Sequence, residues 1–547
     1  MKSRLLLLLF FICLTMAVQA QVVPGTYWVQ LKDKKGTPYQ ISHPEAFLSQ
    51  RSIDRRTRQQ IPIDETDLPV SPGYLDNLKA LGAEVVHTSK WLNGATVRVT
   101  DSVMIKSIEG LPFVQSVQLT KPSLITKSTR IKFNEDELNS DIPAVNYGNA
   151  YNQLTQLNGQ YLHNKGYRGK GIQIAVIDAG FWHVNQIAAF DSLRTSNRIL
   201  GTRDFVDPTS DIYLQHSHGM SVLSTMGGNI PETLIGTAPD ASFYLFRSED
   251  ASTEYPIEED NWVAAAELAD SLGVDEINSS LGYNIFDDPQ MSHPYSDMNG
   301  KKTRVTQGAN MAFEKGILVF TSAGNEGGNV WQHIIAPSDG VNVLAVGAVD
   351  MLGIRASFSS VGPAFGGAIK PNVVAQGALT YLINSTGIPG YSSGTSFSSP
   401  VLAGMGACLL QANPGANVRQ IKRAIEQSAH QYNDPDSLLG YGIPDFQKAD
   451  LLLKSTGVKT MPAGLIWEVM PNPFSDILYI RKLDTLKLEG CRVSIYSLQG
   501  TNLWEKTFTN SEIIILKNLG FLPKGFLILT IRSGGKKEEF KLIKIAR

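Results

Sequence analysis

Cysteine is nearly absent from this chain. There are three among 547 residues: Cys13 in an apolar leader, Cys408 in an apolar helical stretch and Cys491 in a distant terminal segment. That spacing offers no disulfide framework. Net charge is nearly absent too, with 49 Lys and Arg against 51 Asp and Glu for a formal −2. A broad electrostatic attraction to nucleic acid or anionic lipid is therefore not expected. Past the leader, no apolar run is long enough to span a bilayer. Metal-ligand spacing is also missing. His216 and His218 lie near each other, but no further ligand cluster accompanies them, so zinc is not expected; His163 and His333 read as ordinary loop or surface histidines.

Scarce cysteine would suit a reducing compartment, but the N-terminus argues otherwise. Lys2 and Arg4 precede the apolar run Leu5 to Cys13, and Val18-Gln19-Ala20 supplies small residues for cleavage, so residues 1–20 read as a secretory signal.

The most informative run is Gly394-Thr395-Ser396-Phe397-Ser398-Ser399-Pro400. Gly394 permits a sharp bend, Pro400 is expected in the first helical turn, and Val401, Leu402, Met405, Cys408 and Leu409 follow at helical spacing. The run reads as a buried helix whose start delivers the hydroxyl of Ser396, although serine before a helix is commonly just a cap. A serine nucleophile needs a base, an acid to orient the base, and donors for the developing oxyanion. Asp178 ends a β-branched strand over residues 171–180, where a carboxylate is costly unless paired. His218 opens an apolar helical stretch and is the candidate base. Asn325 follows the buried strand 317–320 on a loop and could donate to an oxyanion.

These residues resemble the subtilisin-like serine peptidases, or subtilases. Val176-Ile177-Asp178-Ala179-Gly180, His218-Gly219-Met220-Ser221-Val222 and the Ser396 run come in that family's Asp, His, Ser order. Further matches are Gly236-Thr237-Ala238-Pro239, Ile277-Asn278-Ser279-Ser280-Leu281-Gly282 and Ser322-Ala323-Gly324-Asn325. The resemblance covers roughly residues 147–453. It implies an α/β fold, a subtilisin-like parallel sheet flanked by helices. It also implies Ser396 as nucleophile, His218 as base then acid, Asp178 as the orienting carboxylate, and Asn325 with the Ser396 N–H as oxyanion hole. Ser280, Leu281 and Gly282 would lie along the substrate backbone, with Ala323 and Gly324 on the opposite wall of the specificity pocket. Met220 departs from the threonine usual after His-Gly and should alter only packing. No cofactor is required; calcium is common in the family, but no loop here is assigned as its ligand.

Residues 21–120 alternate as strand, helix, strand, strand, helix, strand, a small α+β unit similar to the family's propeptide, which occupies the active site until cut away. The basic run Arg51 to Arg58 reads as a solvated helical face. Residues 121–146 read as a processing linker, 147–455 as the catalytic domain and 456–469 as a second linker. Residues 470–547 carry short alternating strands expected to form a β-sandwich. Pro471-Asn472-Pro473-Phe474, Val493 to Gly500 and Lys541-Leu542-Ile543-Lys544 resemble the C-terminal sorting domain of type IX secretion. A generic sandwich module is the alternative.

The expected function is a secreted serine endopeptidase, made as a precursor and acting through an acyl-enzyme. It would be released or held at the surface of a Gram-negative bacterium, with protein or peptide substrates, its own propeptide and the type IX machinery as partners. A peptide-binding pseudoenzyme and an acyl transferase to amines remain open. The acidic loops 255–260 and 287–297 are expected to border the groove and favour basic substrates.

Overall fold

The computed structural model describes residues 23–124, 132–133, 147–455, 467–470, 474–482, 490–508, 513–533 and 536–544. The signal segment with Cys13, most of both expected linkers and Pro471-Asn472-Pro473 lie outside these residues. The chain forms two compact units divided at Val458 and Lys459.

In the first unit, the N-terminal region adopts the expected order. The strands β1 (Gly25–Leu31), β2 (Glu84–Ser89), β3 (Gly94–Val99) and β4 (Val114–Pro122) form an antiparallel sheet ordered β2-β3-β1-β4. Helices α1 (Gln50–Gln59), α2 (Pro72–Ala80) and α3 (Ser102–Glu109) accompany it. Val29, Val97, Leu78 and Ile108 are fully shielded in its own apolar core.

The larger sheet is wholly parallel. It comprises β5 (Gln173–Asp178), β6 (Ile199–Asp204), β7 (Ser242–Arg247), β8 (Glu276–Ser279), β9 (Leu318–Ser322), β10 (Leu344–Val349) and β11 (Val373–Gln376), in the order β11-β10-β9-β8-β5-β7-β6. The burial of β9 and β10 at every position is what a parallel sheet covered on both faces requires. The chain leaves β5 toward one edge of the sheet and returns to build from β8 toward the other. The order therefore reverses between β5 and β8, and a crevice opens at their carboxyl ends. Helices α4 (His218–Gly227), α5 (Ile257–Leu272), α6 (Arg304–Glu314), α7 (Thr395–Ala412), α8 (Val418–Ser428) and α9 (Phe446–Ser455) flank it.

The basic run on α1 is a solvated face only at its ends, where Arg51 and Arg58 are 39% and 50% exposed. Arg55 and Arg56 are each 1% exposed, and both reach Asp270 on α5, at 2.5 and 2.8 Å. Arg56 also pairs with Asp67 at 2.9 Å, and Lys90 with Asp270 at 3.0 Å. Lys315 pairs with Asp67 at 3.0 Å. These cations are therefore shared between the N-terminal region and the helical flank of the large sheet. The acids that neutralise Arg55 lie more than two hundred residues away, so the run looks solvated when read locally. Glu267 adds to this seam by accepting the backbone N–H groups of Lys90 and Trp91 at 2.8 and 3.0 Å.

Pro400 also falls elsewhere than expected. Helix α7 begins at Thr395, which makes Pro400 its sixth residue and leaves the carbonyl of Ser396 without the amide that would normally bond it. The Ser280 hydroxyl donates to that carbonyl at 2.8 Å, and the Ser396 hydroxyl donates back to the Ser280 carbonyl at 3.3 Å. Ser399 adds a bond to Asn278 at 2.9 Å. The start of α7 is thus pinned to the end of β8.

In the second unit, β12 (Trp467–Met470), β13 (Leu478–Lys482), β14 (Cys491–Ser497), β15 (Asn502–Phe508), β16 (Ile513–Leu516), β17 (Gly525–Ser533) and β18 (Lys536–Lys544) form two antiparallel sheets, ordered β12-β13-β16 and β15-β14-β17-β18. One core joins them, with Val469, Ile480 and Leu516 from the first meeting Ile495, Leu529 and Ile531 from the second. The expected sandwich is present. Two strands escape the sequence pattern: β12 begins inside the expected linker, and β15 is mostly exposed, so it lacks a clear apolar alternation.

Two outcomes are expected. Arg56→Ala leaves Asp270 and Asp67 short of a buried partner and should destabilise the intact precursor by about 3–5 kcal/mol, read by denaturant unfolding. Ser280→Ala orphans the Ser396 carbonyl and should cost about 1–3 kcal/mol. Adding Pro400→Ala supplies an amide donor to the same carbonyl, so the double variant should recover part of the loss.

Candidate active site

Asp178 is the last residue of β5 and has no exposed surface. Its Oδ1 accepts the Ala179 amide at 2.8 Å and lies 2.6 Å from Nδ1 of His218. A buried carboxylate is tolerable only with such donors. The pairing makes Nδ1 the protonated ring nitrogen and Nε2 the acceptor. His218 is the first residue of α4, and the next residue shows why the helix can come so close. A Cβ on Gly219 would stand 2.4 Å from the Gly180 carbonyl and 2.8 Å from Cβ of Asp178. Met220 is fully buried in the core behind the imidazole.

His216 lies two residues before His218, the first residue of α4. Its Nδ1 accepts the His218 backbone N–H at 3.2 Å, and burial, then the neighbouring His218, lower its pKa to about 4. It is neutral near pH 7 and supports the turn into α4. His163 is buried, contrary to a surface reading. Its Nε2 lies 2.9 Å from the Thr237 carbonyl, and burial lowers its pKa to about 4. The free thiol of Cys408 bonds the same carbonyl at 3.3 Å. Cys491 is likewise free and buried.

Ser396 is half-buried at the second position of α7, with its hydroxyl turned to Ser280. The ring of Phe397, the next residue, lies 6.1 Å from that of His218, which brings the start of α7 to the imidazole. Asn325 is exposed at the rim. Its Oδ1 accepts both the backbone N–H and the hydroxyl of Thr395 at 2.9 Å. With the amide oxygen committed to α7, the NH2 group remains as a donor.

Ser280 and Leu281 are buried at the end of β8, and Ala323 and Gly324 are buried after β9. Between these two segments stands Ile335, which the sequence did not single out. The Ile335 side chain approaches so closely that a Cβ on Gly282 would lie 2.3 Å from it, and one on Gly324 3.0 Å. Ile335 sits in a loop without motif or periodicity, so only the fold reveals it.

Two further residues were missed because they lie in the expected processing linker. The ring of Phe133 lies tilted against the rings of His218 and His216, with centroids 4.4 and 4.7 Å apart. Beside it, the Lys132 ammonium pairs with Glu249, Glu254 and Glu258 at 2.6, 3.0 and 2.8 Å. The N-terminal segment therefore covers the imidazole in the intact chain.

Residues 169–442 match the Subtilase family, residues 26–135 the Peptidase S8 propeptide domain of Bacteroidota, and residues 468–545 a secretion system C-terminal sorting domain. Subtilisin NAT of Bacillus subtilis subsp. natto is 28% identical over 381 residues, covering 68% of this chain and 85% of the relative. Subtilisin DY of Bacillus licheniformis is 30% identical over 275 residues, covering 49% and 88%. The thermostable alkaline protease of Halalkalibacterium halodurans is 29% identical over 354 residues, covering 63% and 84%. A buried Asp–His pair at the switch point of a parallel sheet, a serine helix beside it and a covering N-terminal segment thus belong to a member of the subtilase family, a serine-type endopeptidase built with a propeptide and a sorting domain for secretion.

Proposed function

We propose that Asp178, His218 and Ser396 act as a catalytic triad that hydrolyses peptide bonds through an acyl-enzyme. The observation that carries this reading is the 2.6 Å contact between Asp178 Oδ1 and His218 Nδ1, with the start of α7 beside the imidazole. Asp178 fixes the tautomer, so His218 Nε2 can take the Ser396 proton as the hydroxyl attacks and return it to the leaving amine. A water then enters, and His218 repeats the cycle to release the acid. The tetrahedral oxygen would be held by the Asn325 NH2 and the Ser396 N–H at the start of α7, where unbonded amides and the helix dipole favour negative charge. This acyl-transfer chemistry calls for no cofactor.

The substrate would run as an added strand along Ser280-Leu281-Gly282, gaining affinity from main-chain bonds. Ile335, standing between that wall and Ala323-Gly324, would shorten the specificity pocket and favour small side chains. In the precursor, Phe133 over His218 keeps the imidazole from substrate, so removal of the N-terminal region is the activating step. The sorting domain would direct export by type IX secretion across the outer membrane of a Gram-negative bacterium. Among the described residues no helix is long and apolar enough to cross a membrane.

After removal of the N-terminal region, a fluorophosphonate should label the wild type stoichiometrically and Ser396→Ala not at all, with casein cut by the wild type alone. A folded wild type that fails to label would favour a peptide-binding pseudoenzyme. Asn325→Leu should lower kcat by about 10²- to 10³-fold, the range known for a subtilisin oxyanion amide, with little change in KM. Ile335→Gly should raise kcat/KM for an aromatic over an alanine substrate by about 10-fold or more, read with paired peptide substrates.

A further inference from the structure

Glu249, Glu254 and Glu258 present carboxylate oxygens that all lie within 4.8 Å of one another. Two of the three are almost fully buried: the side chains of Glu249 and Glu258 are 1% and 2% exposed, and that of Glu254 is 12% exposed. Such a cluster is costly unless a cation enters it. Here the cation is Lys132, whose ammonium touches all three carboxylates and also donates to the Thr253 carbonyl at 3.2 Å. Burial alone would depress the lysine pKa, yet the three carboxylates outweigh it and hold the pKa well above its usual value.

The cluster is built into the wall of the crevice. Glu249 follows Ser248, whose amide bonds the Asp178 carbonyl at 3.0 Å. It also accepts the hydroxyl of Tyr283, the residue after the Ser280-Leu281-Gly282 wall. Glu258 accepts the Asp250 amide at 2.9 Å and the Tyr255 amide at 3.3 Å, so its carboxylate is held in place by the loop itself. Burial, then the charge of Glu249, push its pKa well up. The geometry is that of a receptor pocket preformed around one ammonium group.

Lys132 belongs to the N-terminal region, and so does Lys121, which pairs with the neighbouring Asp250 at 3.3 Å. When that region leaves, both cations leave with it and the carboxylates remain without them. We propose that Glu249, Glu254 and Glu258 form a substrate subsite for a lysine or arginine side chain, selecting peptides in which that residue adjoins the one lying over His218, and that Lys132 with Phe133 fills these positions in the precursor as a substrate would. This rests on the serine-peptidase reading above. It also replaces a general influence of acidic loops with a defined pocket: of its three acids, only Glu258 falls within residues 255–260 and 287–297, and it stands buried in the first turn of α5, not in the acidic loop expected there.

The test uses wild-type enzyme freed of its N-terminal region from the full chain and an internally quenched peptide with the sequence of residues 128–138. Lys132 of the peptide is replaced by arginine, norleucine or glutamate, and cleavage products are identified by mass spectrometry. Lysine and arginine peptides should be turned over with kcat/KM at least about 10-fold above norleucine, and glutamate should be worst. In Glu254→Gln the lysine-to-norleucine ratio should fall toward one, and the wild-type ratio stands as a test even if that variant folds poorly. Equal turnover of lysine and norleucine peptides by the wild type, both in EDTA and with added calcium, overturns the subsite. Fluorophosphonate labelling on the same preparation separates the cases: labelled enzyme without the preference sinks the pocket alone, whereas unlabelled enzyme sinks the peptidase reading.

Discussion

A carboxylate stripped of water at the end of a buried parallel strand dictates much of this molecule. Asp178 has no exposed surface, and the ring N–H of His218 is one of the two donors to its Oδ1. To bring that donor within reach, α4 must start directly against the strand end, and no side chain larger than hydrogen is admitted at position 219. The reversal of strand order between β5 and β8 leaves room there for the start of α7. Helix placement and the choice of glycine are thus consequences of one desolvated charge and its partner.

The N-terminal region is held by a different physics. Its own core is apolar, but its seam with the large sheet's helices is a lattice of ion pairs centred on Asp270 and Asp67. Buried ion pairs discriminate strongly between correct and displaced docking, because a shifted charge loses its partner while remaining desolvated. Asp270 is held with its pKa far below the usual carboxylate range: burial opposes this, but Lys90, Arg56 and Arg55 outweigh it. An apolar seam of the same area would tolerate sliding far better.

Legibility in the sequence followed the locality of the cause. Asp178, His218, Ser396 and Asn325 stand in short runs where glycine, strand periodicity and turn chemistry are adjacent in the chain, so each could be named without coordinates. The alternation of the small N-terminal unit and most strands of the sandwich were legible for the same reason. Ile335, Lys132 and Phe133 were not, because each acquires its meaning from groups brought near only by folding. Arg55 and Arg56 looked solvated since the partner that decides their environment, Asp270, sits on α5. Pro400 was placed one turn too early because nothing local marks Thr395 as the first helical residue.

The proline in α7 has a mechanical consequence. Removing one amide from the helix ladder transfers the carbonyl of Ser396 to the hydroxyl of Ser280, just past the end of β8. The two therefore move as one body. A displacement of the Ser280 segment is therefore passed directly to the start of α7, and one of α7 to that segment.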